Sequence, residues 1–209
     1  MTPDEIETLF TGSDGRYGFA RWGRPIAPVV FGVEDATVAA LKGALEAVVA
    51  LAGHGMAETD PELGVNLMVF FLRDWNELTA VPDLDRLVPG LGPLVARLDA
   101  GGATNYRLFR FDADGAIRAC FVFIRVDDAV AGMPAETLAL GEAVQVMLTW
   151  SDRAFAAQGP LGQAEPGGPA LLKPGIAGVI RAAYDPVMPA ATTDPAHALR
   201  LAARLGAMR

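Results

Sequence analysis

At 209 residues, with 52% hydrophobic side chains and a formal net charge of -8, the chain has the composition of a protein that buries a core. That balance excludes a disordered chain, and with no run of Lys or Arg to offset it locally it argues against a nucleic-acid surface. The single cysteine, Cys120, excludes an intrachain disulfide and a multi-cysteine zinc site, and no apolar run is long enough to span a bilayer.

The first residues, MTPDEIETLF, are acidic and lack the positive and apolar regions of a secretory signal. As written the chain reads as cytoplasmic, or as an envelope protein if a signal has been removed. Thr2-Pro3-Asp4-Glu5 has the cap, proline and acidic first turn of a short helix whose apolar side is Ile6, Leu9 and Phe10. Gly12-Ser13-Asp14-Gly15 ends it in a turn, so residues 1–15 form an N-terminal helix and turn ahead of a single domain, 16–209. Residues 16–22 alternate as a strand. Residues 25–31 form a second, which Pro28 confines to an edge or a bulge.

Residues 34–52 are a helix. Val38, Leu41, Leu45, Val48 and Ala52 recur at three- and four-residue steps, Asp35 sits in the first turn and Gly53 supplies the stop. Gly43 inside it costs about 1 kcal/mol against alanine, which points to close packing against a neighbour. The continuous apolar run 65–72, VNLMVFFL, reads as a strand buried on both faces. Residues 74–78 make a helical turn, and 84–98 read as a helix interrupted around Pro89-Gly90 and Pro93 or as largely loop.

Residues 105–111 and 117–126 flank Asp112-Ala113-Asp114-Gly115 as a hairpin. The same four residues have the start of a calcium loop, but FDADGAIRACFV lacks the further oxygen ligands and the closing glutamate, which leaves a turn. Cys120 lies in the apolar run ACFVFIRV and reads as a small buried hydrophobe. Residues 134–152 form the helix around which the site is sought, with Leu138, Val144, Met147 and Leu148 as its apolar face. Residues 158–175 are rich in Gly and Pro and read as a loop crossed by no helix or strand. Residues 174–184 form one more helix, and Asp194-Pro195 starts the last, carrying Leu199, Leu201, Ala202 and Leu205. This order predicts an α+β fold: a single domain with a mixed sheet and hairpin packed by helices.

The 134–152 helix carries Gly141-Glu142-Ala143-Val144-Gln145, which has the spacing of the zincin motif H-E-x-x-H with the glutamate kept and both histidines gone. In the working motif the two histidines share one helical face and hold zinc while the glutamate activates water. Gly141 has no side chain, and the neutral amide of Gln145 is a poor zinc ligand. Neither His54, which follows a helix end, nor His197, in the final helix, has a second ligand at metal spacing, and His54 is explained by capping contacts. Serine occurs only at positions 13 and 151, without a G-x-S-x-G frame, and GPLGQAEPGG lacks the Lys-Ser/Thr ending of a phosphate-binding loop.

Four short motifs resemble a proteobacterial family of unknown function whose members are commonly described as lipoproteins. They are Arg21-Trp22-Gly23-Arg24-Pro25-Ile26, Asn66-Leu67-Met68-Val69-Phe70, Glu142-Ala143-Val144-Gln145 with Leu148 and Asp152, and Ala183-Tyr184-Asp185-Pro186 with Pro189. The resemblance spans roughly residues 18–206 in layout, in the sense that short motifs locate elements. The chain departs from that family at Gly141, where a second glutamate is usual, at Ser151, where asparagine is usual, and in lacking paired cysteines. The resemblance implies a divergent member with a zincin-like, metal-less architecture.

The predicted function is accordingly that of a non-catalytic binding or structural domain, with an unknown protein or peptide partner and no cofactor or metal. Its vestigial site is Glu142, Gln145, Asp152, Trp150 and Tyr184. Glu142 is expected half exposed on its helix, where Gln145 one turn on could bond it. The alternative is a peptidase-like hydrolase that uses Glu142 with Asp152 or His197.

Overall fold

The computed structural model describes residues 1–207. In chain order the elements are α1 (Pro3–Phe10), β1 (Phe19–Ala20), β2 (Pro28–Phe31), α2 (Asp35–Ala52), β3 (Leu67–Leu72), a 3₁₀ helix (Trp75–Ala80), α3 (Leu84–Leu87), α4 (Leu91–Ala100), β4 (Asn105–Phe111) and β5 (Ile117–Arg125). There follow α5 (Asp128–Ala131), α6 (Ala135–Val146), β6 (Leu161–Gln163), β7 (Ala170–Leu172), α7 (Pro174–Ala183), β8 (Ala191–Thr192) and α8 (His197–Ala207).

The main sheet has the order β2-β3-β5-β4; β2, β3 and β5 run parallel, and β4 returns antiparallel to β5 through the hairpin. β3 runs between two neighbours and is buried on both faces, and the second is why its sequence is apolar without alternation. Pro28 takes the first position of edge strand β2, where a missing N–H costs least. In the hairpin turn, Asp112 Oδ1 accepts from the N–H groups of Asp114 and Ala116, both at 2.9 Å. The carboxylate organises the turn itself.

Each face of the sheet is covered. Leu67, Val69 and Phe71 of β3 and Cys120, Val122 and Ile124 of β5 pack onto the apolar sides of α2 and α6, in a core completed by α1, α7 and α8. The alternate residues, Phe70, Leu72, Phe121 and Phe123, form a second core under Trp75, Leu78, α3 and α4. The result is a single α+β domain. Ile6, Leu9 and Phe10 of α1 belong to the first core, so the N-terminal helix is an integral part of it.

Several expectations are corrected. Of residues 16–22 only Phe19–Ala20 form a strand, paired with β8, while Arg21 and Trp22 bridge singly to Leu148 and Ile117. The stretch changes partner at almost every step, so no ladder builds. Residues 158–175 are not all loop: β6 and β7 make a hairpin there, with Leu161 opposite Leu172. Of the two readings of 84–98 the interrupted helix is the one that forms, as α3 and α4 divided at Pro89-Gly90, but Pro93 is no break: it sits in the first turn of α4, where no helical N–H is needed. Gly43 does not mark close packing, since a Cβ built there meets no atom within 4 Å. Leu199 is 61% exposed, and α8 buries Ala198 and Leu201 instead.

The helix expected over 134–152 stops at Val146 because its last carbonyls are captured by side chains. Trp150 Nε1 donates to Val144 O (3.0 Å), Trp22 Nε1 to Val146 O (2.8 Å) and Tyr184 OH to Met147 O (2.8 Å). These bonds satisfy groups that another helical turn would otherwise have taken. Among the described residues, no helix is long and apolar enough to cross a membrane.

Candidate functional site

The site is built where α6 faces edge strand β4. Asn105 and Arg107 stand two residues apart on that strand, so their side chains share the face turned to α6. Glu142 is met from there by both: Oε1 accepts from Asn105 Nδ2 at 2.7 Å, and Oε2 from Arg107 Nη2 at 2.5 Å. Glu142 is not half exposed on its helix; its side chain is 6% exposed and that of its partner Arg107 16%. A glutamate in that setting requires a cation and a second donor, because desolvating an unpaired carboxylate costs several kcal/mol. Both are present.

Gln145 makes no bond to Glu142. It lines a cleft of about 600 Å³ between the inner face of β4 (Asn105, Arg107, Phe109) and the 149–156 segment, which contributes Trp150, Asp152 and Phe155. That far wall is fixed to α1. Trp150 stacks on Phe10 with ring centroids 5.4 Å apart, Ser151 Oγ donates to Thr8 O at 3.1 Å, and Asp152 Oδ1 accepts from Ser13 N–H at 2.9 Å. The Ser13 side chain and N–H beside it hold the Asp152 carboxyl below the usual range.

The structure therefore brings Gln145, Trp150 and Asp152 around one cleft, places Glu142 behind its wall on Asn105 and Arg107, and leaves out two residues altogether. Tyr184 is a core residue: its hydroxyl donates to Met147 O and accepts from Trp22 N–H (3.4 Å). His197, 2% exposed, hydrogen-bonds Tyr17 OH through Nδ1 at 2.8 Å and packs 4.2 Å from the Phe19 ring. Burial, with Arg200 nearby, pushes its pKa down to about 4, whereas Asp194 opposes the shift. His54 is also remote, its Nε2 bonded to Arg24 O at 2.8 Å, and burial lowers its pKa.

Among the described residues, no three His, Cys, Asp or Glu side chains converge where a metal ion could sit. At the first ligand position of the zincin spacing, a Cβ built on Gly141 would lie 3.8 Å from Leu161 Cδ1, so β6 roofs that part of the helix.

Sequence reasoning missed Asn105 and Arg107. Their signal was two polar residues on alternate positions of a strand face that continues as Phe109 and Phe111. A second buried polar cluster went equally unread: Asn66, fully buried, accepts from Ala27 N–H (2.8 Å) and donates to Pro25 O (2.9 Å) and Asp60 Oδ2 (3.0 Å). Burial alone would raise the Asp60 pKa, but the N–H groups of Leu63 and Glu62, Asn66 and Arg24 bring it down to about 2. Compared with family models, curated proteins and solved structures, the chain matches none.

Proposed function

We propose that this chain is a non-catalytic, zincin-like domain that binds a peptide or protein segment in the cleft between β4 and residues 149–156. The observation that carries the reading is the state of Glu142. Both of its oxygens are engaged by Asn105 and Arg107 away from solvent, so the residue at the catalytic-base position serves as a counter-ion. A general base must reach the proton of a water, and a metal site must supply clustered ligands around that water.

The four family-like motifs support a scaffold role as well. Trp22, Asn66, Glu142 and Tyr184 each use their polar atoms to tie elements together, none to face the cleft freely. α2 and α6 together on one face of the mixed sheet, with the Glu-x-x-Gln helix beside an antiparallel edge strand, fit a zincin-like scaffold.

A binding role is supported by the size of the cleft, about 600 Å³, within the range of ligand sites. It is supported also by β4 being an edge strand, with one side of its backbone unpaired in the sheet and available to an added strand. The competing hydrolase would need Asp152 or His197 to act with Glu142. The first is turned to Ser13 and the second to Tyr17.

Selection from a displayed random-peptide library tests the reading, with counter-selection against a Gln145→Trp variant that fills the cleft. Sequences that bind the wild type and lose binding to the filled variant are the expected result. Fluorogenic-peptide turnover that disappears in Glu142→Gln would replace this reading with the hydrolase.

A further inference from the structure

The opposite face of the sheet carries a second hollow, unconnected to the cleft. The helical layer over Phe70, Leu72 and Phe123 does not extend to the other end of β3 and β5, where Met68, Ala119 and Phe121 floor a pocket of about 460 Å³. Leu63, Leu87 and Phe111 stand around its mouth, 39%, 52% and 49% exposed. Large apolar side chains gathered that way around one opening are unusual on a surface with nothing to cover.

The charged side chains that line this mouth are arginines. Arg86, Arg110 and Arg118 line it, and no carboxylate does, although the chain as a whole carries -8. Arg86 and Arg118 are already paired, with Asp83 (2.9 Å) and Glu62 (3.1 Å). Arg110 differs: Nη2 donates to the Leu87 carbonyl at 3.1 Å, and among the described residues it has no carboxylate partner. That single bond holds the guanidinium at the rim, with its remaining N–H donors open to an anion.

From this juxtaposition of an apolar floor with an arginine rim, we propose that the pocket binds a small amphipathic carboxylate of the medium-chain fatty-acid type. A neutral hydrocarbon would have no use for the arginines, and a bare inorganic anion would have none for the floor. A nucleotide fits poorly, because the floor offers no hydrogen-bonding side chain to meet a base. An alkyl chain needs only apolar contact, and Met68 is a side chain that adapts to such a ligand. The carboxylate lies at the rim, where a forked guanidinium meets it best.

The test is titration of the whole chain with octanoate and with octanol, followed by calorimetry and by the methyl resonance of Met68. Saturable one-to-one binding of octanoate is expected, with octanol weaker by about tenfold, the worth of a charged hydrogen bond. Arg110→Gln should weaken octanoate by a similar factor, whereas Arg153→Gln, at a different hollow beside α1, should leave it unchanged. Met68→Trp, which fills the floor, should abolish binding, with melting curves checking that the fold is kept. Equal affinity for octanol, wild-type affinity in a folded Arg110→Gln, or no saturable binding would each overturn the proposal.

Discussion

Replacing Glu142 by leucine should destabilise the protein far more than replacing Glu142 and Arg107 by leucine together. Glu142→Leu alone leaves the Arg107 guanidinium without its counter-ion and Asn105 Nδ2 without its acceptor. Removing one member of a buried pair typically costs about 3–5 kcal/mol. Arg107 is 16% exposed, so water relieves part of its loss and the expected cost is near the lower end, about 3 kcal/mol. For a domain of this size that corresponds to a melting point lower by roughly 10 °C. The double variant removes both charges, and a well-packed apolar replacement of a buried pair is often close to neutral, so it should lie within about 1–2 kcal/mol of wild type. Urea unfolding of the wild type, two single variants and the double gives the coupling energy directly. Additive losses, or a Glu142→Leu midpoint equal to wild type, would show that the pair does not hold α6 to β4 and would remove the main support for a structural Glu142.

Three further outcomes follow from particular residues. His197 has a folded pKa of about 4 against an ordinary 6.5, so the unfolded chain binds the extra proton between those values. Stability should fall as pH drops from about 6.5, with the His197 share, about 3 kcal/mol, complete near 4; His197→Phe should remove that share in denaturation series across the window and leave only the share of His54, whose pKa burial also lowers, while Asp60 acts lower, between 3.8 and about 2. Gly32→Ala should be severely destabilising, by more than about 3 kcal/mol in urea unfolding, because φ there is +84° and the new Cβ would lie 2.1 Å from the Phe71 carbonyl oxygen. Offered zinc and then freed of excess, the protein should retain less than one equivalent by elemental analysis, since Gly141 and Gln145 supply no ligand and Glu142 is already paired.

What could be read in advance was what the chain encodes locally. α2 and β3 follow from apolar spacing within a few residues, the hairpin from Asp112 to Gly115, and the edge position of β2 from Pro28. The errors occur where a distant residue decides. The end of α6 is set by Trp22, 124 positions away, and by Tyr184, 37 positions away, each reaching a carbonyl that no local pattern singles out. The β6–β7 hairpin has strands of three residues, too short for alternation to register among the glycines and prolines around it.

Glu142 is the most instructive case. On its own helix it looks like a polar residue facing water, and its resemblance to a catalytic glutamate rests on the same local spacing. Its burial comes from Arg107 and Asn105, on a strand more than thirty positions earlier, which reach it from β4. The consequence is mechanical. Asn105 and Arg107 line the near wall of the cleft, and Gln145, one turn beyond Glu142, lines its base, so the bonds to Glu142 set how far β4 stands from α6. The far wall is fixed independently, through Trp150 on Phe10 and Asp152 on Ser13. A cleft held on both sides by bonds outside its own opening can meet a ligand without reorganising. In this proposal the glutamate contributes to function by holding that opening in shape, which needs a carboxylate but no proton transfer.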